Sequence, residues 1–147
     1  MSSTGSKLFS FSWFKGFKAE QKTQPHLNDL PSPQAIDSTA LNNTRFVILD
    51  LETTGLNIHK DQLIAIGSVV IENNEIQLSQ SFERTLFRTL KNIDDAVLIH
   101  GISPEEVARG ETPEKALLDF INYAGESIFL AYHAPFDQAM LSRALKR

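Results

Sequence analysis

The chain has 147 residues, 41% hydrophobic and 22% charged, the balance of a soluble globular protein with room for one domain and an appendage. It contains no cysteine, which excludes disulfides and thiolate metal sites, fits a reducing compartment and makes the cytoplasm the expected location. No apolar run approaches the roughly 20 residues that cross a bilayer, so no integral membrane segment is expected. The net charge of −4 divides into +1 over residues 1–44 and −5 over residues 45–147. That sign is wrong for gripping long duplex DNA through many phosphates, although bound divalent cations would offset it locally at an enzyme handling a strand end.

Residues 1–44 read as an amino-terminal segment and linker, set apart from a domain over 45–147. Leu8, Phe9, Phe11, Trp13, Phe14 and Phe17 crowd together with Lys7, Lys15 and Lys18 interleaved, and a stretch with Pro25, Pro31 and Pro33 follows as linker. Residues 7–18 suit a segment that docks on the domain or on a partner such as a polymerase. A weak interfacial membrane contact and a disordered leader are the alternatives. Serines and a lysine interrupt the apolar run, so it makes a poor signal peptide.

From Phe46 the pattern becomes regular. Phe46-Val-Ile-Leu-Asp50-Leu-Glu52 predicts a strand over 46–52, its four leading apolar residues indicating cover on both faces. Alternation points Asp50 and Glu52 the same way, where two carboxylates repel unless water or a cation reaches them. Oxygen-only ligands suit a hard divalent ion, magnesium or manganese. The blander alternative is that the pair merely marks where a strand surfaces. Thr53, Thr54 and Gly55 then offer hydroxyls and a flexible backbone where a ligand would sit.

A second strand over about 62–72 and a third over about 75–86 flank a tight turn at Asn73-Asn74, completing an antiparallel meander. Ser103-Pro104-Glu105-Glu106 carries the cap, first-turn proline and reach-back acid of a helix start, and Gly110 suits its end. Thr112-Pro113 begins another helix with Leu117, Phe120, Ile121 and Ala124 as one stripe. A short strand, Ile128 to Tyr132, leads through His133-Ala134-Pro135 into a last helix. There Asp137 shares a stripe with Met140, Leu141 and Ala144. An acid in a first helical turn is favoured by the dipole, by about 0.3–1 kcal/mol, but that effect gives it no reason to point at the sheet.

The strand with D-x-E-T-T-G-L, the hairpin, the Ile99-His100-Gly101-Ile102 segment and the strand-to-helix step ending in Pro135-Phe136-Asp137 together resemble the DEDD exonucleases. They are most similar to the proofreading epsilon subunit of bacterial DNA polymerase III and its free-standing relatives, the DEDDh type. The resemblance spans about Arg45 to the C-terminus. It implies an α/β, ribonuclease H-like mixed sheet, antiparallel over its first three strands, followed by helices and a parallel strand. It also implies 3′–5′ release of nucleoside monophosphates from nucleic-acid 3′ ends, with single-stranded DNA as the expected substrate, by two Mg2+ or Mn2+ ions about 3.5–4 Å apart. On this likeness Asp50 is the acid that bridges both metals, Glu52 a ligand of the metal that activates water, and Asp137 the third acid. Thr53, Thr54, Gly55 and Leu56 match the stretch that cradles the terminal nucleotide, and His100 and Phe136 match positions near its sugar and base. A capping role for His100 and a core role for Phe136 are the alternatives. His26 and His59 sit in polar loops and are assigned nothing.

Two departures stand out. Where the family usually shows His-Asn-Ala before the acid, this chain has Tyr132-His133-Ala134. The family's third motif, a histidine general base with a fourth acid five residues on, does not come after Asp137. His133 matches a different motif position, and Gln138 stands five residues beyond it. The expectation is therefore a truncated copy lacking the last strand and helix, with low activity of its own and an uncovered sheet edge beside residues 128–132. A non-catalytic binding or assembly protein on a nuclease scaffold is the alternative. An unrelated phosphate- or metal-binding domain would require the joint match of Asp50, Glu52, His100 and Asp137 to be coincidence.

Overall fold

The computed structural model describes residues 7–9, 43–89 and 101–145. Its strands are β1 (Lys7–Phe9), β2 (Phe46–Thr53), β3 (Leu63–Glu72), β4 (Glu75–Thr85) and β5 (Ile128–Ala131). Its helices are α1 (Pro104–Ala108), α2 (Pro113–Ala124) and α3 (Ala134–Leu145). The strands form one mixed sheet in the order β1-β5-β2-β3-β4.

The expected meander is present. β2 pairs antiparallel with β3, and β3 with β4. Asn73 and Asn74 turn the β3–β4 hairpin with φ of 54° and 62°, the doubly left-handed backbone that matches strand twist and that asparagine tolerates well. β5 lies on the other side of β2, parallel to it, with Leu49 opposite Ala131.

Alternation along β2 buries Val47, Leu49 and Leu51 on one face. The other face, with Phe46 and Ile48, is only half-covered, so the sheet has one deep core face instead of equal cover on both. α2 fills that core. Leu117, Phe120, Ile121 and Ala124 fall at i, i+3, i+4 and i+7 and are all buried. Phe120 lies 5.6 Å from Phe82 and 5.8 Å from Phe129 between ring centroids, pinning the helix to β4 and β5. Each such buried aromatic contributes about 1.5–3 kcal/mol by leaving water.

Arg45, just before β2, donates to the carbonyls of Ala124 at 2.7 Å and Tyr123 at 3.1 Å. It thereby satisfies orphan acceptors at the α2 C-terminus with a favourable positive charge. The α1 start is the predicted capping box, Glu106 N donating to Ser103 Oγ at 3.2 Å and Ser103 N to Glu106 Oε2 at 2.7 Å. Thr112 begins α2 without a side-chain cap.

The expectation of an uncovered edge beside β5 is corrected. β1 pairs antiparallel with it, Lys7 opposite Ala131, Leu8 opposite Leu130 and Phe9 opposite Phe129. An edge strand presents unpaired N–H and C=O groups, and an amino-terminal segment satisfies them as well as any other strand.

Candidate functional site at the carboxyl end of β2

Leu51 is buried on the core face, so its neighbours Asp50 and Glu52 share the opposite one, Asp50 exposed and Glu52 half-buried. Immediately after the second acid the β2–β3 register shifts. Glu52 faces Ala65 whereas Thr53 faces Leu63, leaving Ile64 as the extra residue of a bulge. Such a bulge bends the ladder and re-aims the residues beyond it.

Those residues form the Thr53–Leu56 turn, and its hydroxyls serve the turn itself. Thr53 Oγ1 donates to Gly55 O at 2.8 Å. Thr54 Oγ1 accepts from Gln62 N at 2.9 Å and donates to Asp61 Oδ1 at 3.4 Å, while Asp61 Oδ2 accepts from Asn57 N at 2.7 Å. A Cβ on Gly55 would lie 2.6 Å from Asp61 Oδ2, so glycine is what lets that carboxylate close over the turn. The turn thus presents backbone and an apolar tip, Leu56, which is 85% exposed. Arg143 of α3 also donates to Ile58 O, tying this loop to the last helix.

α3 brings the third acid. Asp137 is only 7% exposed, and Met140 and Leu141 beside it are buried, confirming the inward stripe. Its pKa is raised to about 6, first by burial and then by the Asp50 carboxylate, against the opposing pull of His133 and of backbone N–H groups of Asp137 and His133. Asp50 and Asp137 are therefore within electrostatic reach of each other. Among the described residues, no group of three or more His, Cys, Asp or Glu side chains is arranged to hold a metal ion. Carboxylates drawn to a single point repel unless a cation or proton intervenes. Phe136 is half-buried, stacked on the exposed His133 with centroids 5.7 Å apart and planes 5° from parallel. His100 lies outside the described residues.

Three contributors escape a sequence reading. Asp61 organises the turn, and its only signal is an acid a few residues after a glycine turn and just ahead of an apolar run. Arg143 acts across 85 residues, which no local pattern reveals. His133 is separable from a solvated loop histidine only through its stack on Phe136. A cavity of about 110 Å³ elsewhere, lined by Gln62, Arg88, Met140 and Arg143 among others, includes none of the three acids.

An exonuclease family model, RNase_T, matches residues 47–147. The chain is similar to the PolC-type DNA polymerase III of Thermotoga maritima, 31% identical over 112 residues, which cover 76% of this chain and 8% of that protein. The corresponding protein of Staphylococcus haemolyticus is 28% identical over 107 residues, 73% of this chain and 7% of that one. E. coli exonuclease I, solved in complex with a dT13 oligonucleotide, superposes with a TM-score of 0.60 at 17% identity, over 71% of this chain and 24% of that chain. The same fold appears in exonuclease I without ligand, with a TM-score of 0.58 at 19% identity, over 71% of this chain and 25% of that chain. The chain thus spans under a tenth of the polymerases and about a quarter of exonuclease I. The mixed sheet with its helices is ribonuclease H-like, and the family match takes in Asp50, Glu52 and Asp137 alike. This chain belongs to the RNase_T exonuclease family.

Proposed function

We propose that the chain is a metal-dependent 3′–5′ exonuclease whose residues 45–147 release nucleoside monophosphates from single-stranded DNA ends, in the cytoplasm. The observation that carries this reading is Asp137, buried on α3 and raised to about 6 with Asp50 as its second cause. A chain gains no stability by holding two carboxylates in this way. A bound divalent cation would offset the repulsion, and an all-oxygen donor set suits magnesium or manganese. Asp50, Glu52 and Asp137 would hold the ions, which when bound supply an activated water and stabilise the leaving oxygen.

The chain's own groups position the substrate. The Thr53–Leu56 turn, held by Asp61 and Arg143, offers its backbone and the Leu56 tip to the terminal nucleotide. Phe136, next to Asp137, offers a ring face to the base. No residue of the site is assigned as general base.

The test is mononucleotide release from a labelled single strand in the presence of manganese. Release by the chain that Asp50→Ala abolishes supports the site, and turnover unchanged by that substitution rules it out.

A further inference from the structure

Arg88, shortly after β4, and Arg143, in the last turn of α3, come from distant parts of the chain to border one cavity of about 110 Å³. Gln62 and Leu63, where the turn after the acids enters β3, and Glu114, in the first turn of α2, form much of the remaining wall. Arg88 Nε donates to Leu63 O at 3.0 Å, which seats its guanidinium on that wall, and Arg143 Nη1 donates to Ile58 O. Both arginines are half-buried. A guanidinium stays charged in proteins and carries five N–H donors. Arg143 places one of them on Ile58 O and, among the described residues, joins no ion pair.

A cation in the last turn of a helix is favoured by the dipole, which accounts for Arg143 taken alone. It gives no reason for a second arginine from another segment to border the same small space, where two positive charges repel. The carboxylate of the lining, Glu114, is exposed and forms no ion pair among the described residues. A bound anion would offset the repulsion. The cavity is well under the roughly 300–1,000 Å³ of pockets that enclose a drug-sized ligand, so it admits a small group without a nucleoside attached inside it. Forked guanidinium donors match the oxygens of a phosphate, two at a time. We propose that this cavity is a phosphate subsite apart from the three acids, taking the phosphate group of a strand or of a free nucleotide and leaving the nucleoside outside. Arg143 would then hold the phosphate with the same side chain that ties Ile58 to α3. Such binding does not depend on hydrolysis at the acids.

The test is titration of the full chain, isotopically labelled and carrying Asp50→Ala to prevent hydrolysis, with inorganic phosphate. Binding is followed by NMR at the Nε–H groups of Arg88 and Arg143, with sodium chloride at matched ionic strength as the control. A saturable shift at both groups is expected with phosphate and none with chloride. Arg143→Lys keeps the charge but loses the fork, and is expected to weaken phosphate binding about tenfold, read at Arg88. Glu114→Gln removes the opposing carboxylate from an exposed position and is expected to strengthen it about threefold. Anisotropy of a dye-labelled dT12 then identifies the source of the group. Displacement of dT12 by inorganic phosphate, weakened by Arg143→Lys, assigns the cavity to a strand phosphate. Unchanged dT12 binding, with dTMP shifting both arginines, assigns it to a free nucleotide. Equal shifts with phosphate and chloride, or a phosphate affinity that neither substitution moves, overturn the subsite while leaving the nuclease function standing.

Discussion

Asp137 on α3 is buried, and burial first and the Asp50 carboxylate on β2 second hold the Asp137 carboxyl at about 6, above its ordinary 3.8. An acid whose pKa is raised on folding favours the folded state while protonated. Its contribution is whole below about pH 4 and is lost as pH rises through about 6. Asp137→Asn is therefore expected to be more stable than the parent at pH 7.5, by about 1–3 kcal/mol, and indistinguishable from it near pH 3.5. Urea unfolding at the two pH values, without divalent metal, checks this. A gain of equal size at both would remove the electrostatic explanation.

Gly110 is constrained by contact. A Cβ there would sit 2.6 Å from Leu86 C and Phe87 N, both backbone atoms, where Phe87 N donates to Glu111 O and Glu111 N to Thr85 O. Neither wall can move without breaking these bonds. Gly110→Ala is expected to lose about 1–3 kcal/mol, read as a lower urea midpoint at unchanged slope. A midpoint within error of the parent would show that the linker between α1 and α2 yields.

Asp61 holds the turn beyond the acids. Asp61→Ala removes a charge-assisted bond to Asn57 N and the contact to Thr54 Oγ1. Faster amide exchange at Asn57 is expected, together with a rise in KM larger than any fall in kcat, because in the proposed function the turn positions substrate and does no chemistry. Unchanged exchange at Asn57 would mean that the hydrogen bonds to Gln62 suffice to shape the turn.

The β1–β5 pairing can be trapped directly, since the chain has no cysteine of its own. Leu8 and Leu130 are opposite one another, so Leu8→Cys with Leu130→Cys places two thiols at cross-strand distance. Mild oxidation should give a faster-migrating monomer on a non-reducing gel. Crosslinked dimers in place of monomers would show that the strand is exchanged between copies.

Much of this fold was readable because local chemistry and tertiary packing agree. Asn73-Asn74, Ser103-Pro104-Glu105-Glu106 and the Leu117–Ala124 stripe each specify their element by short-range rules, and each stands where those rules put it. The inward azimuth of Asp137 came from the same helical period. What local rules could not supply were partners distant along the chain. β1 covers an edge expected to be open, and Arg143 reaches Ile58. The threonine hydroxyls after Glu52 were read as free for a ligand, whereas Asp61, Gln62 and Gly55 engage them, an outcome that depends on where the chain returns after the turn.

The central claim, that Asp50 and Asp137 form a metal-dependent site acting on strand 3′ ends, is tested most directly by a 5′-labelled single strand incubated with manganese and resolved on a sequencing gel. The expected result is a ladder of labelled strands shortening one nucleotide at a time, abolished by chelation and by either Asp50→Ala or Asp137→Ala. A ladder that survives both substitutions, or immediate release of the labelled end as a mononucleotide, would contradict it.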